Sequence, residues 1–167
     1  KKTGVKRMKI RTGQGIDFHR LEEGRDLWIG GINIPSRRGC IAHSDGDVLL
    51  HAICDALLGA AGLRDIGFHF PDNDPSYKGI SSKILLDRTI KLISEKGYSV
   101  VNIDSTICLE NPKISAYVPE MKKVISGIAA VEPDDVGIKA TTTEKMGFTG
   151  REEGVVALAS VLLIRRT

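Results

Sequence analysis

The chain has 167 residues, of which 41% are hydrophobic and 27% are charged, with a formal net charge of +3 and three cysteines. This length and composition predict one globular domain with an ordinary core, and they argue against a disordered chain, a disulfide scaffold or a bilayer-spanning segment of about 20 apolar residues. Several of the cations lie near the start, so we expect a basic tail over residues 1–7 rather than a nucleic-acid-binding surface, in a soluble intracellular protein.

The first elements follow strand and hairpin patterns. Residues 8–17 predict a strand. Residues 27–29 and 32–34 are apolar segments on either side of Gly30 and Gly31, which is a strong signal for a two-residue hairpin turn. We therefore expect a β-hairpin near the N-terminus.

A helix rich in alanine and leucine comes next. Ser44 is followed three residues later by Asp47, which forms a loose capping box at the predicted start of this helix. The apolar run continues to Ala61, and Gly62 stands where a helix commonly stops. The helix therefore begins just after His43.

The second half of the chain mixes helices and strands. Residues 81–96 repeat apolar side chains at helical spacing before Gly97, and residues 101–110 alternate with a period of two, which is typical of a long strand. The last predicted elements are a helix over 119–130, a strand over 136–140 and a strand over 155–165. This order predicts an α+β fold in a single domain over 8–167, with a mixed β-sheet and helices packed mainly on one face.

Three side chains of metal-ligand type stand close to these elements. Asp17 and His19 are two residues apart on a predicted strand, so they face the same side of it, and His51 lies on the following helix. Three nitrogen and oxygen ligands with a fourth position open are typical of a catalytic zinc site. Spacing alone fits equally well with three separately hydrogen-bonded structural residues.

Two carboxylates have the spacing of neighbours of His51. Asp47 and Asp55 stand four residues before and after it, so either could accept the second imidazole N–H on a helix and fix the tautomer. The alternative is that both are solvated, and we favour solvation for Asp47.

Three polar stretches outside the regular elements could hold a ligand. Residues 65–75 are rich in acids and turn formers, and residues 111–114 follow the long strand directly. Residues 139–151 combine three threonines, an acid and two glycines, a set able to hold phosphate oxygens and a shared Mg²⁺. The competing interpretations are a solvated acidic turn in the first stretch and threonines bonded to their own backbone in the third.

Six short motifs, in this order, resemble one family. They are an Asp-x-His after a glycine at 15–19, AHSDGDVLLHA at 42–52, DALLGA at 55–60, DIGFHFPD at 65–72, Pro-Lys after the long strand and KATTTEKMGFTGR at 139–151. Together they cover the chain from about residue 8 to 165 and are similar to the 2-C-methyl-D-erythritol 2,4-cyclodiphosphate synthases of the non-mevalonate isoprenoid pathway. The resemblance favours a zinc site over three structural residues.

The resemblance implies roles for particular residues. It makes Asp17, His19 and His51 the ligands of one Zn²⁺ per subunit, with Asp17 and His19 also facing substrate, and Glu144 the ligand of a Mg²⁺ or Mn²⁺ on the diphosphate. The resemblance implies a catalytic role for His43, Thr142 and Glu144. The further substrate-binding residues that it implies are His43 and Ser44 at the phosphates, Asp65 and Gly67 at the methylerythritol portion with Phe70, Pro71 and Asp72 over it, Asn111, Pro112, Lys113, Ile114 and Ala140 at the cytosine, Thr141, Thr142 and Thr143 at the diphosphate, and Phe148 and Arg151 at a cavity on a threefold axis.

The activity that the resemblance implies is cyclisation of 4-diphosphocytidyl-2-C-methyl-D-erythritol 2-phosphate to the cyclic diphosphate with release of CMP, a phosphorus–oxygen lyase reaction. It implies a homotrimer with active sites between subunits, no nucleic-acid or membrane partner, and a cytoplasmic location, or a plastid in a plastid-bearing host. Two other functions fit the same residues: a phosphohydrolase that uses zinc-activated water, and a non-catalytic nucleotide-binding module.

Overall fold

Long antiparallel strands form the centre of the fold. The computed structural model describes residues 8–166, so the predicted basic tail over 1–7 lies outside the described residues. The strands are β1 Met8–Glu23, β2 Leu27–Ile29, β3 Ile32–Ile34, β4 Arg38–Ile41, β5 Ser99–Cys108, β6 Val136–Thr141 and β7 Gly154–Arg166. The helices are α1 Val48–Ala61, α2 Ile66–His69, α3 Ser82–Glu95, α4 Val118–Ala129 and α5 Gly147–Gly150.

Five of the strands form one mixed sheet. Their order is β4-β1-β7-β5-β6, and only the β5–β6 pair within it is parallel. Strands β2 and β3 form a separate hairpin whose turn residues Gly30 and Gly31 have positive φ values of 64° and 80°. Only glycine adopts such values without strain, which is why this pair makes the turn. The predicted mixed sheet and hairpin are both confirmed.

One face of the sheet packs very closely against α1. A Cβ atom on Gly13 would overlap the carbonyl oxygen of Ala56, and one on Gly15 would overlap that of Ala52. Because side chains alternate along β1, Asp17 and His19 continue on this helix side. The alternate residues Ile16 and Phe18 face the other side and are 49% and 53% exposed.

Several strands and helices begin or end at residues other than those predicted. Strand β1 continues six residues past the predicted end at 17, and the short strand β4 was not predicted. The helix that follows begins at an N-cap formed by Asp47, whose side chain accepts from the N–H of Leu50, so the capping box assigned to Ser44 was wrong. Its predicted stop is confirmed, because Gly62 is the left-handed C-cap.

Strand β5 departs from simple alternation near its start. A bulge between Val100 and Asn102 leaves Val101 unpaired and exposed, and the inward-facing residues after it, such as Ile103 and Ile107, are buried. Within residues 8–166, every helix is too short or too polar to cross a bilayer.

Candidate functional site

Asp17, His19 and His51 bring three donor atoms to one point. His19 Nε2 lies 3.1 Å from His51 Nδ1, and Asp17 Oδ2 lies 3.2 Å from each of those nitrogens. Ligand atoms at the corners of a tetrahedron around Zn²⁺ are separated by about 3.3 Å, given bonds of about 2.0–2.1 Å. The three side chains therefore fit a metal ion with one open position, and the predicted convergence is confirmed.

The two histidines of this triad differ in their electrostatics. Burial lowers the pKa of His19, and the attraction of Asp17 only partly offsets this effect. Burial also opposes the charged form of His51, but the hydrogen bond and charge of Asp17, with the charges of Asp47 and Asp45, outweigh it and raise the pKa of His51. In the metal-free protein His51 is thus the histidine that holds a proton more strongly.

The second nitrogen of His51 faces hydroxyl groups. Its Nε2 lies 2.8 Å from Ser82 Oγ and 3.2 Å from Ser44 Oγ. Asp55 accepts instead from the backbone N–H of Ile66 at 2.7 Å. Ser82 belongs to the start of α3, so its proximity to His51 was not visible from sequence spacing.

Asp47 is fully buried, which contradicts the prediction that it is solvated. Its carboxylate accepts hydrogen bonds from the backbone N–H groups of Gly30, Gly31 and Leu50 at 2.9, 2.6 and 3.0 Å. Neither Asp47 nor Asp55 is the partner of the imidazole of His51, so this second prediction was also wrong. The helical spacing was correct, but each carboxylate accepts from other groups. Asp47 binds the hairpin turn and the first turn of α1, and Asp55 binds the backbone N–H of Ile66.

A cavity of about 320 Å³ opens onto the triad. Of the residues that the resemblance assigned to substrate, His43, Ser44, Gly67, Phe70 and Asp72 line it. Tyr77 and Leu85 line it as well and were not predicted. This set combines an apolar floor with a few polar groups near the metal ligands, as small-molecule sites do.

Asp65 and His43, both predicted to bind substrate, differ in their hydrogen bonding. Asp65 is the N-cap of α2 and accepts from the N–H of Phe68 at 3.2 Å. His43 Nε2 is a buried polar atom without a hydrogen-bond partner among the described residues. Because buried polar groups are normally paired, this nitrogen is available to a bound ligand.

The threonine-rich loop after β6 forms a second polar cluster. Thr142 Oγ1 donates to Glu144 Oε1 at 3.0 Å, whereas Thr141 and Thr143 donate to the backbone oxygens of Thr142 and Met146. Glu144 and the next residue have positive φ values of 52° and 63°. Such strain in residues other than glycine is typical of functional loops.

Glu110 organises this loop and was not predicted. Its Oε1 accepts from the N–H of Thr143 at 2.9 Å and lies 3.3 Å from the Thr143 hydroxyl oxygen. The backbone hydrogen bond from Thr143, with weaker bonds from Lys145, holds the pKa of Glu110 below its usual value. The only sequence signal was its place directly before Asn111, at the end of the long strand.

The residues of segment 111–114 point to different places. Asn111 donates to Glu152 Oε1 at 2.7 Å, and Asn111 and Pro112 line a separate cleft of about 630 Å³. Lys113 is exposed, whereas the side chain of Ile114 is buried in the core, which leaves only its backbone for a ligand. Ala140, on β6, is exposed.

Phe148 and Arg151 lie beyond the loop, near the open face of the sheet. The ring of Phe148 is 6.2 Å from that of Phe18, and Arg151 pairs with Glu153 at 2.9 Å. Pro71, between the cavity residues Phe70 and Asp72 in sequence, is partly exposed.

The two polar clusters do not meet within one chain. Phe18 lies between Asp17 and His19 on β1 and pairs with Val156 on β7. Val156 pairs in turn with Cys108 on β5, and Cys108 pairs with Thr141 on β6. Three strand spacings separate the backbones of Phe18 and Thr141 by about 14 Å. The metal triad and the Glu144 loop thus lie at the same end of the sheet but on strands far apart.

Comparison with known proteins agrees with this geometry. A family model described as the YgbB family matches residues 10–164. The 2-C-methyl-D-erythritol 2,4-cyclodiphosphate synthase of Bacteroides fragilis is 59% identical over 158 residues, which are 95% of this chain and 99% of that protein.

Solved structures share the fold over most of this chain. A 2C-methyl-D-erythritol-2,4-cyclodiphosphate synthase in its CDP-bound form matches with a TM-score of 0.85 and 38% identity over 92% of this chain and 99% of that one. The bifunctional IspDF of Campylobacter jejuni matches with a TM-score of 0.91 and 41% identity over 95% of this chain, which spans 43% of that longer protein. A family match over residues 10–164, together with relatives of such high identity, shows that this chain belongs to the YgbB family, whose relatives named above are 2-C-methyl-D-erythritol 2,4-cyclodiphosphate synthases.

Proposed function

We propose that this chain converts 4-diphosphocytidyl-2-C-methyl-D-erythritol 2-phosphate to 2-C-methyl-D-erythritol 2,4-cyclodiphosphate and CMP, as a cyclising phosphorus–oxygen lyase of isoprenoid precursor synthesis. The observation that carries the proposal is the triad of Asp17, His19 and His51, whose donor atoms lie 3.1–3.2 Å apart and open onto a cavity. The names of the closely similar proteins state the cyclic diphosphate product, and the family resemblance implies the cytidyl substrate.

The donor set supports zinc as the metal of this triad. Two imidazole nitrogens and one carboxylate oxygen with an open fourth position match catalytic zinc sites. When bound there, Zn²⁺ would neutralise charge on a substrate phosphate oxygen and polarise its phosphorus. The protein itself holds the three ligands rigidly, because Asp17 and His19 share one strand and His51 lies on the helix packed against it.

The side chains around the cavity would orient the substrate. The attacking group is the 2-phosphate of the substrate itself, so the protein needs no nucleophile of its own. His43, whose Nε2 has no hydrogen-bond partner within residues 8–166, and Ser44 lie beside the triad and would bind phosphate oxygens. Phe70 supplies an apolar wall. Fixing the attacking oxygen in line contributes up to roughly 7–11 kcal/mol in well-ordered intramolecular reactions.

The loop after β6 supports a nucleotide diphosphate site with a second cation. Glu144 is exposed and offers a carboxylate for Mg²⁺ or Mn²⁺, with Thr142 beside it. Catalysis requires this loop close to the zinc ligands, yet one chain holds them about 14 Å apart by strand spacing. A homotrimer whose sites lie between subunits solves this problem, and the exposed Ile16, Phe18 and Leu158 supply apolar surface for it.

We expect the reaction to take place in the cytoplasm. Cys40, Cys54 and Cys108 are free, and two of them are buried, as is usual in reducing compartments.

A product analysis tests the proposed activity directly. The purified protein is incubated with the cytidyl substrate, Zn²⁺ and Mg²⁺ in ¹⁸O-water, and products are identified by ³¹P NMR and mass spectrometry. We expect CMP and a cyclic diphosphate without solvent oxygen, whereas a phosphohydrolase would incorporate ¹⁸O and a binding module would give no product. His51→Ala should lose turnover, and His69→Gln, which keeps a donor toward the backbone oxygen of Leu63, should retain it. Full turnover by metal-depleted His51→Ala would refute the assignment.

Mixing two inactive variants tests the assembly. His51→Ala lacks a metal ligand and Glu144→Gln lacks the loop carboxylate. If each site takes these residues from different subunits, a randomly reassembled 1:1 mixture should recover about one quarter of the wild-type activity. Recovery near zero after verified subunit exchange would argue against shared sites, and light scattering should give a mass three times the 18.1 kDa of one chain.

A further inference from the structure

A hydrogen-bonded pair, the half-buried Asp45 and the buried Ser82, lies behind His51, on the side away from Asp17 and His19. Asp45 lies in the loop before α1, and Ser82 is the first residue of α3 and fully buried. Asp45 Oδ2 accepts from the backbone N–H of Ser82 at 2.8 Å, and Asp45 Oδ1 accepts from the Ser82 hydroxyl. The Ser82 oxygen in turn lies 2.8 Å from His51 Nε2. The three residues thus form one continuous chain of hydrogen bonds.

The direction of each hydrogen bond in this chain is fixed by chemistry. An ionised carboxylate is an acceptor only, so the hydroxyl proton of Ser82 is committed to Asp45. The Ser82 oxygen then has only lone pairs to offer His51, whose Nε2 must carry the proton. Ser44 Oγ, at 3.2 Å from the same nitrogen, accepts from the N–H of Gly46 and does not oppose this arrangement.

We infer that Asp45 and Ser82 are positioning residues that fix the Nε2–H tautomer and the ring orientation of His51, and so present its Nδ1 lone pair to the metal. Nδ1 is the atom that faces Asp17 Oδ2 and His19 Nε2. Metal-ligating histidines commonly donate their other N–H to an oxygen in this way, and removing that oxygen typically weakens metal binding about 10–100-fold. The inference rests on metal binding by the triad and does not depend on the identity of the substrate.

The alternative is that Asp45 serves only to cap α3. That role uses the backbone N–H of Ser82 and does not need its hydroxyl. Ser82→Ala keeps the capped N–H and removes only the oxygen that faces His51, so it separates the two roles. Ser126→Ala is the matched control, because Ser126 is also a buried helical serine and donates to a backbone oxygen on α4, that of Lys123.

The test measures zinc affinity by competition with a chromogenic chelator, together with thermal unfolding of each variant. Ser82→Ala should bind Zn²⁺ about 10–100-fold more weakly than the wild type, and Ser126→Ala should bind it equally well. In ¹⁵N spectra of the zinc-loaded wild type, we expect a protonated Nε2 and a metal-bound Nδ1 for His51, with the Nε2 proton protected from exchange. This protection should be lost in Ser82→Ala.

A second variant keeps the test decisive if Ser82→Ala does not fold. Asp45→Asn has nearly the same shape, but its amide can donate to the Ser82 oxygen, which frees the hydroxyl proton to turn toward His51. It should therefore also weaken zinc binding. Wild-type zinc affinity in a folded Ser82→Ala or Asp45→Asn protein would overturn only the positioning role of Asp45 and Ser82. A wild-type protein that does not bind zinc would overturn both that role and the metal site.

Discussion

Asp47 Oδ2 accepts a hydrogen bond of 2.6 Å from the backbone N–H of Gly31, which ties the start of α1 to the turn of the β2–β3 hairpin. The other carboxylate oxygen accepts from Gly30 and from Leu50 in the first turn of the helix. One buried side chain therefore caps the helix that carries His51 and anchors the hairpin to it.

Replacing Asp47 by alanine should destabilise the protein strongly. The substitution leaves the buried N–H groups of Gly30, Gly31 and Leu50 without their acceptor, and each such group costs about 1–3 kcal/mol. We expect a loss of about 3 kcal/mol or more and a fall in Tm of roughly 6 °C or more. Calorimetry checks this, with Asp87→Ala as the control, since its ion pair with Lys91 is exposed and should change stability little. Equal Tm values for the two variants would contradict the anchoring role.

Two glycine substitutions should have opposite effects on stability. Gly15→Ala places a Cβ against the carbonyl oxygen of Ala52, so β1 must move away from α1, and we expect a loss of roughly 3 kcal/mol or more together with weaker zinc binding. Gly127→Ala lies within α4 with open space around the new Cβ and should stabilise by about 0.5–1 kcal/mol. Denaturant unfolding measures both. A neutral Gly15→Ala would show that the helix and strand can separate without penalty.

Removing the carboxylate of Glu110 should weaken nucleotide binding and leave zinc binding unchanged. Glu110→Ala takes away the acceptor that holds Thr143 and Lys145, so the loop that carries Glu144 loses order. We expect CDP to bind about tenfold more weakly, consistent with the loss of about 1.4 kcal/mol of preorganisation. Zinc affinity should stay unchanged, because the hydrogen bonds that hold Asp17, His19 and His51 do not involve Glu110 or its loop. Calorimetric titration with CDP and with Zn²⁺ tests both halves, with Glu120→Ala, on α4, as the control.

Zinc affinity should depend on pH through His51. Burial lowers the pKa of its imidazole, but the hydrogen bond and charge of Asp17 raise this pKa by more than burial lowers it. The net pKa therefore lies above the ordinary 6.5. Zinc must displace that proton, and apparent affinity should therefore rise with pH by about tenfold per unit up to this raised pKa and level off above it. Burial lowers the pKa of His19, so its proton competes with zinc only at lower pH than the proton of His51. Chelator competition from pH 5.5 to 8.5 measures the profile, and a plateau already reached below 6.5 would contradict it.

Local patterns in the sequence predicted several elements correctly because short-range physics determines them. Gly30-Gly31 allows the two positive φ values of a tight hairpin, and Gly62 allows the left-handed residue that ends α1. Alternation along β1 places Asp17 and His19 on one side of the strand, the predicted helix carries His51, and the motif resemblance favoured one metal site over three separate structural residues. The convergence of Asp17, His19 and His51 could therefore be predicted from the sequence alone.

Some predictions that inferred a contact in space from spacing along the chain were wrong. Asp47 and Asp55 have the helical spacing of His51 neighbours, but the N–H groups of a hairpin turn and of α2 compete for these carboxylates and bind them. The bulge in β5 likewise turned Val101 outward, although simple alternation placed it inside.

The sequence by itself determined the hairpin, the C-terminal end of the helix that carries His51, the candidate metal-binding set of Asp17, His19 and His51, and the membership of the chain in its family. Only the tertiary structure decided that Ser82, 31 residues away from His51, supports its imidazole, and that Glu110, 33 residues before Thr143, orders the threonine loop. The physical reason is that turns, caps and strand faces depend on neighbouring residues, whereas hydrogen bonds between distant segments depend on how α1, α3 and the sheet pack together.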